Sequence, residues 1–179
     1  MRERLETNTN YSTATPVSDK NALLISGFML ELSGDAAPAT PVWPKSRALA
    51  RRVLSNTSTP LLKGDYLYSA KSDGELVCLD SHTGDAVWVT EKVTGLKQGA
   101  SIHLTPNGDA VWLFTDEGNL IRARLTPKGY EELSRAHLLE PTSIFSRRLL
   151  AWVPPAYGNR HVFARNDKEL VCASLAAKP

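Results

Sequence analysis

Only two of the 179 residues are cysteine, Cys78 and Cys172, too few to staple a small disulfide framework. Long apolar runs are missing as well. The stretches 22–25 and 28–30 are short and interrupted, far below the roughly 20 residues of a membrane-spanning helix. No apolar run follows the charged opening Met1-Arg2-Glu3-Arg4, so the start does not look like a secretory signal. Neither sign of charge dominates: 21 Lys and Arg stand against 19 Asp and Glu, spread along the chain to a net +2. Without a basic stripe there is no electrostatic case for a nucleic-acid partner, nor any segment suited to direct membrane insertion. The pairs Arg51/Arg52 and Arg147/Arg148 are read as solvated loop charges.

Catalytic signatures are equally scarce. No nucleophile elbow G-x-S-x-G, no glycine-rich phosphate loop and no haem-attachment C-x-x-C-H occurs. His82, His103, His137 and His161 are scattered without metal-ligand spacing. The acidic residues Asp73, Asp109, Asp116, Glu117 and Asp167 fall at turns, where a short carboxylate bonds its own backbone, and are assigned as turn formers. No residue is therefore assigned a catalytic, cofactor-binding or metal role. Trp112, between Val111 and Leu113, and Trp152, before Val153-Pro154-Pro155, are assigned to packing, with Trp152 the better candidate for an exposed ring.

What the chain does have is 42% hydrophobic residues, enough for a core, arranged as a repeat. Gly64-Asp65 precedes the run 66–70; Ser72-Asp73-Gly74 makes a turn; Glu75-Leu76-Val77-Cys78-Leu79 runs back; Thr83-Gly84 turns again; a last run ends at Trp88. Downstream, Gly108-Asp109, the run 110–114, the turn Asp116-Glu117-Gly118 and the return 119–125 repeat the order. There Ile121, Ala123 and Leu125 share one face and Arg122 and Arg124 the other. Gly74 to Gly118 is a step of 44 residues. A further copy runs out at 161–164, turns at Asn166-Asp167-Lys168 and returns through 169–172, a second Glu-Leu-Val-Cys. Upstream, Thr15-Pro16 lies 44 residues before Thr59-Pro60, and Trp43 lies 45 before Trp88.

Four copies follow, centred near 30, 74, 118 and 168. Short strands repeating every 40–50 residues are the signature of propeller blades, whereas helical solenoids carry two amphipathic helices per unit. The one helical-looking stretch, 46–54, is read as a loop or one to two turns of helix. The expected fold is all-β: a β-propeller of about four antiparallel four-stranded blades, part of a larger six- to eight-bladed propeller. A weakly structured segment 1–12 precedes a single domain 13–179, with blades near 13–45, 57–91, 100–136 and 150–179. Cys78 and Cys172, in equivalent places of blades two and four, are expected to remain free thiols in apolar packing.

The segment Cys78-Leu79-Asp80-Ser81-His82-Thr83-Gly84-Asp85-Ala86-Val87-Trp88 resembles the tryptophan-docking motif A-x-D-x-x-T-G-x-x-x-W of PQQ-type (quinoprotein-like) propellers, differing only at Cys78. Gly84 permits a positive φ, Asp80 and Thr83 can bond the turn's backbone, and Trp88 offers a ring to a neighbouring blade. Other copies depart from the motif. Blade one keeps Trp43 but has Ser33-Gly34-Asp35; blade three has Tyr130 and Leu133 where the tryptophan belongs; blade four stops before any docking segment.

The resemblance implies one of two roles. One is the non-enzymatic scaffold, similar to the outer-membrane β-barrel assembly lipoprotein, with a protein or polymer as partner. The other is a piece of a PQQ-dependent dehydrogenase whose catalytic residues lie in further blades. A quinoprotein alcohol dehydrogenase is expected to show an adjacent Cys-Cys pair, an acidic base and Glu/Asn/Asp ligands for calcium. This sequence has no Cys-Cys. The expectation is a non-enzymatic interaction module without a cofactor, the C-terminal part of a longer propeller of the periplasm or cell envelope.

Overall fold

Alternating residues in the runs around each turn sort onto two faces, and both faces of the resulting sheets are apolar. That is what a stack of blades requires. A computed structural model describes residues 13–25, 27–33, 39–45 and 54–176. The segment 1–12, the helical-looking stretch 46–53 and Gly34-Asp35 lie outside the described residues.

Three four-stranded antiparallel meanders follow one another. Blade 1 comprises β1 (Val17–Asp19), β2 (Ala22–Ile25), β3 (Phe28–Glu31) and β4 (Thr40–Trp43). Blade 2 comprises β5 (Leu61–Lys63), β6 (Tyr66–Ala70), β7 (Leu76–Asp80) and β8 (Ala86–Thr90). Blade 3 comprises β9 (Ile102–Asn107), β10 (Ala110–Thr115), β11 (Asn119–Thr126) and β12 (Gly129–His137). Two smaller sheets follow: the hairpin β13 (Ser143–Phe145) with β14 (Arg148–Leu150), and blade 4 with β15 (Ala156–Gly158), β16 (His161–Arg165) and β17 (Leu170–Ser174).

One detail corrects the sequence reading. The central turn of blade 1 is at Gly27 (φ 78°), counterpart of Gly74 and Gly118, and not near residue 30. The spacing misleads because the turn between β2 and β3 is shorter than its counterparts. Blade 4 has three strands among the described residues, in keeping with a copy that stops before its docking segment.

Successive blades pack face to face. Leu24, Met29 and Trp43 of blade 1 meet Leu67, Val77 and Leu79 of blade 2. Tyr68, Ala70, Leu76 and Cys78 on the opposite face of blade 2 meet Val111, Leu113, Ile121 and Ala123 of blade 3. Phe114 and Leu120 continue to Val162 and Ala164 of blade 4. In β11 the apolar set Ile121, Ala123 and Leu125 faces blade 2, as the alternation predicts. Arg124 lies on the other side, ion-paired with Glu131.

Cys78 is buried, and burial pushes its thiol up to about 11. Cys172 is also free but exposed, so the expectation that both thiols lie in apolar packing holds for Cys78 alone.

The docking turn forms as its residues dictate. Asp80 Oδ1 accepts from the backbone N–H groups of His82 (2.8 Å) and Thr83 (2.9 Å), and Thr83 Oγ1 accepts from the N–H of Asp85 (3.1 Å). These N–H donors hold the Asp80 carboxyl below the usual carboxylate range. Trp88 donates its indole N–H to the Thr126 carbonyl of blade 3 at 2.8 Å, and Trp43 donates to the Ser81 carbonyl of blade 2 at the same distance. Each acceptor lies 38 residues beyond its tryptophan.

Trp43, whose own motif copy is decayed, is the fully packed ring, 5% exposed. Trp88 is half-buried beside Tyr68. The reason is Gly84: a Cβ there would lie 2.7 Å from Trp43 Cδ2, so the docking turn of blade 2 seats the tryptophan of blade 1.

Candidate interaction surface

A meander places its first-to-second and third-to-fourth strand turns at one end of the blade. The central turn and the connection to the next blade share the other end. At this second end each connection bonds a central turn. In blade 2, Lys97 N–H donates to Asp73 O (2.8 Å) and Gly99 N–H to Ser72 O (2.8 Å). In blade 3, Leu138 N–H donates to Gly118 O and Ala151 N–H to Asp116 O. In blade 4, Asn166 donates its amide to Glu140 O, and the Thr142 and Ser143 hydroxyls donate to Asp167 Oδ2.

The connection from blade 3 to blade 4, residues 138–155, carries the β13–β14 hairpin, which the repeat did not predict. Its turn, Ser146-Arg147, has φ of 46° and 67°, both in the left-handed region used by two-residue hairpin turns. Ile144 pairs with Leu149, Phe145 with Arg148 and Ser143 with Leu150. One face therefore carries Ile144 and Leu149, at 81% and 52% exposure, while Leu150 is fully buried on the other. Phe145 lies against Gly99, where a Cβ would come within 2.5 Å of its ring, and meets Trp152 edge-on at 5.1 Å between centroids. Trp152 is thus a half-buried packing residue. Trp112 stacks on Tyr157 within the blade 3–blade 4 core.

Beneath the hairpin lies a buried ion pair. Asp116, 1% exposed, accepts from Thr94 Oγ1 on Oδ1 and from Arg148 Nη1 on Oδ2, both at 2.8 Å. Two sequence assignments are corrected here. Asp116 is no simple turn former, and Arg148 is no solvated loop charge; Arg147, at the hairpin tip, is the exposed one. Sequence alternation offers no signal for this, because the two charges meet 32 residues apart. Asp73 does act as a turn former, accepting from Glu75 N–H. Arg51 and Arg52 lie outside the described residues.

His103 couples the connection to blade 3. Its Nε2 lies 3.0 Å from Trp152 O and 3.3 Å from Ser101 Oγ. Burial pulls its pKa below the ordinary value, outweighing the Trp152 carbonyl and the nearby Asp116 charge, which pull the other way. The unfolded chain therefore takes up the proton first. This contribution to stability is complete above about pH 6.5 and is lost as pH falls toward the depressed folded value. Urea midpoints for the wild type should fall more steeply between pH 7.5 and 5.5 than those of His103→Gln, whose amide can still donate to Trp152 O. Equal slopes would show that His103 does not titrate with unfolding.

At the opposite end, a recess of about 330 Å³ between blades 1 and 2 is lined by Asp19, Lys20, Glu31, Asp65 and His82. Two polar contacts lie within it: Asn21 donates to Glu31 Oε1 at 3.2 Å, and His82 Nε2 lies 3.3 Å from Asp65 Oδ1. Among the described residues no group of His, Cys, Asp and Glu has metal-binding geometry, and no helix is long and apolar enough to cross a membrane.

No protein-family model and no curated protein matches the chain. Solved structures do. BamB from Moraxella catarrhalis superposes with a TM-score of 0.55 at 17% identity, over 87% of this chain and 43% of its own. The quinohemoprotein alcohol dehydrogenase ADHIIG from Pseudomonas putida HK5 gives 0.55 at 15% identity, over 89% of this chain and 29% of its own. The computationally designed Ika4 protein gives 0.53 at 15% identity, over 98% of this chain and 100% of its own. The chain spans less than half of the BamB chain it resembles. The fold is a run of β-propeller blades with structural resemblance to PQQ-type propellers.

Proposed function

We propose that the chain is a non-catalytic PQQ-like propeller module with a scaffold or assembly role, presenting the β13–β14 hairpin to another protein or polymer. One observation carries this reading. Ile144 and Leu149 form an exposed apolar cross-strand pair, and Leu150 and the buried Arg148–Asp116 pair hold the hairpin beneath it in place. A paired apolar face held out to water costs free energy until something covers it. A photo-crosslinking residue at position 144 in the native host should capture a discrete partner. The adduct should disappear with Leu149→Asp and be missing from a probe at Asp109, at the other end of the blade. Equal capture from both positions, or none from 144, would count against the module reading.

The likeness to a quinohemoprotein dehydrogenase supports a second reading, because its TM-score equals that of BamB. A PQQ site needs stacking groups about the quinone, a bound cation and a base, contributed by many blades. The module reading expects no saturable PQQ binding in isothermal titration with calcium, and no dye reduction with alcohols. One-to-one binding with turnover would put the dehydrogenase first.

A further inference from the structure

The recess between blades 1 and 2 lies where the β1–β2 turn meets the β5–β6 and β7–β8 turns. Its volume, about 330 Å³, is at the lower end of the range for small-ligand sites. Part of its wall is apolar: Ala22 and Leu62 are half-buried, and Val42 is 42% exposed. An alkyl group entering the recess would therefore leave water for hydrocarbon.

Ser81 points to a polar occupant. It is 9% exposed and lines the recess from the docking turn. Its N–H donates to Asp65 O at 2.9 Å, and its carbonyl accepts from Trp43 Nε1 at 2.8 Å, so both backbone groups are taken. Its hydroxyl has no hydrogen-bond partner among the described residues. A buried polar group left in that state costs free energy that a bound donor or acceptor would recover. The surrounding carboxylates set the sign of the occupant's charge. Asp19, Glu31 and Asp65 line the recess against one lysine, Lys20. Glu31 accepts from the Asn21 amide and Asp65 lies beside His82, and neither is paired with Lys or Arg among the described residues.

We propose that this recess binds an alkylguanidinium group. A guanidinium carries N–H donors in one plane and no acceptor, which suits three carboxylates and a hydroxyl able to accept. Its alkyl stem lies along Ala22, Leu62 and Val42, as arginine stems cover apolar surface elsewhere. An ammonium is more strongly hydrated and delivers its charge as a point, so it suits a partly apolar wall less well. The carboxylates are not grouped in metal-binding geometry among the described residues, which leaves an organic cation as the occupant. An arginine side chain of a partner and a free small guanidine present the same chemistry to the site. The recess is at the end of the blades opposite the β13–β14 hairpin, and the site is independent of the function proposed above.

Butylguanidinium titrated at millimolar concentration into the isotope-labelled chain should shift the amide resonances of Asn21, Asp65, Ser81 and His82 to saturation. Those of Gly108 and Asp109, in the equivalent turn of blade 3, should stay in place. Butylurea, of similar shape but uncharged, should move neither set, and butylamine should bind more weakly. Glu31→Gln and Asp65→Asn should each raise the dissociation constant about threefold or more, and Ser81→Ala by a smaller factor. Unchanged spectra outside the recess show that these variants fold. Leu149→Asp should bind as the wild type does. A capped Ala-Arg-Ala tripeptide that binds more tightly than butylguanidinium identifies a partner's side chain as the source; one that binds more weakly identifies a free guanidine. Shifts that do not saturate would overturn the proposal, as would equal binding of butylurea or butylamine. A folded Glu31→Gln/Asp65→Asn double variant with wild-type affinity would overturn it as well.

Discussion

Trp43→Ala is expected to lower the free energy of unfolding by about 3–5 kcal/mol, the range for deleting a large buried aromatic. The same change at Trp88 should cost less, about 2 kcal/mol, because its ring is half-buried and less area returns to water. Both rings donate an indole N–H to a neighbouring blade, so the hydrogen bond does not separate them. Packing does. Trp43 lies on Gly84 and is enclosed by Leu24, Met29, Leu67 and Val77, whereas Trp88 lies at the rim of its cluster. Gly84→Ala should reproduce part of the Trp43 loss, through the Cβ clash with the ring and the positive φ of 77°. Urea denaturation of the three variants measures the order. A Trp88→Ala loss equal to or above that of Trp43→Ala would show that the motif's own tryptophan is the principal anchor.

Arg148→Ala should be as damaging, at about 3–5 kcal/mol, because it leaves the buried Asp116 carboxylate without its counter-charge. The pair itself contributes far less than its loss costs. Only Nη1 of Arg148 is bonded, and Nε and Nη2 are buried without acceptors among the described residues. The double variant Asp116→Asn/Arg148→Met should therefore recover most of the stability lost by Arg148→Ala. Amide hydrogen exchange over residues 143–150 should accelerate in the single variant, because the hairpin loses its tether. If the double variant is no more stable than Arg148→Ala, the ion pair contributes net stability of its own.

Much of the fold was legible because its determinants are local. Glycine with positive φ, Asx turns and two-residue periodicity act within a few residues, and the same solution recurs at Gly74 and Gly118. The motif also located the docking turn, since Asp80, Thr83 and Gly84 bond or bend their own backbone. Blade 1 was misplaced by three residues for the same reason: its short central turn breaks the spacing that local reading relied on. The candidate surface was hardly legible at all. Ile144 and Leu149 look like any short apolar stretch until a hairpin turns them outward. Asp116 looks like a turn residue until Arg148 arrives from the next connection.

From sequence alone came the all-β architecture, the repeat and the central turns at Gly74 and Gly118, each set by interactions between near neighbours in the chain. Tertiary structure decided which of two identical tetrapeptides is core and which is surface, because burial depends on whether a neighbouring blade is present. It also decided which tryptophan is enclosed and which charges are buried. Those outcomes depend on contacts between residues about 30 to 40 apart, which no local pattern encodes.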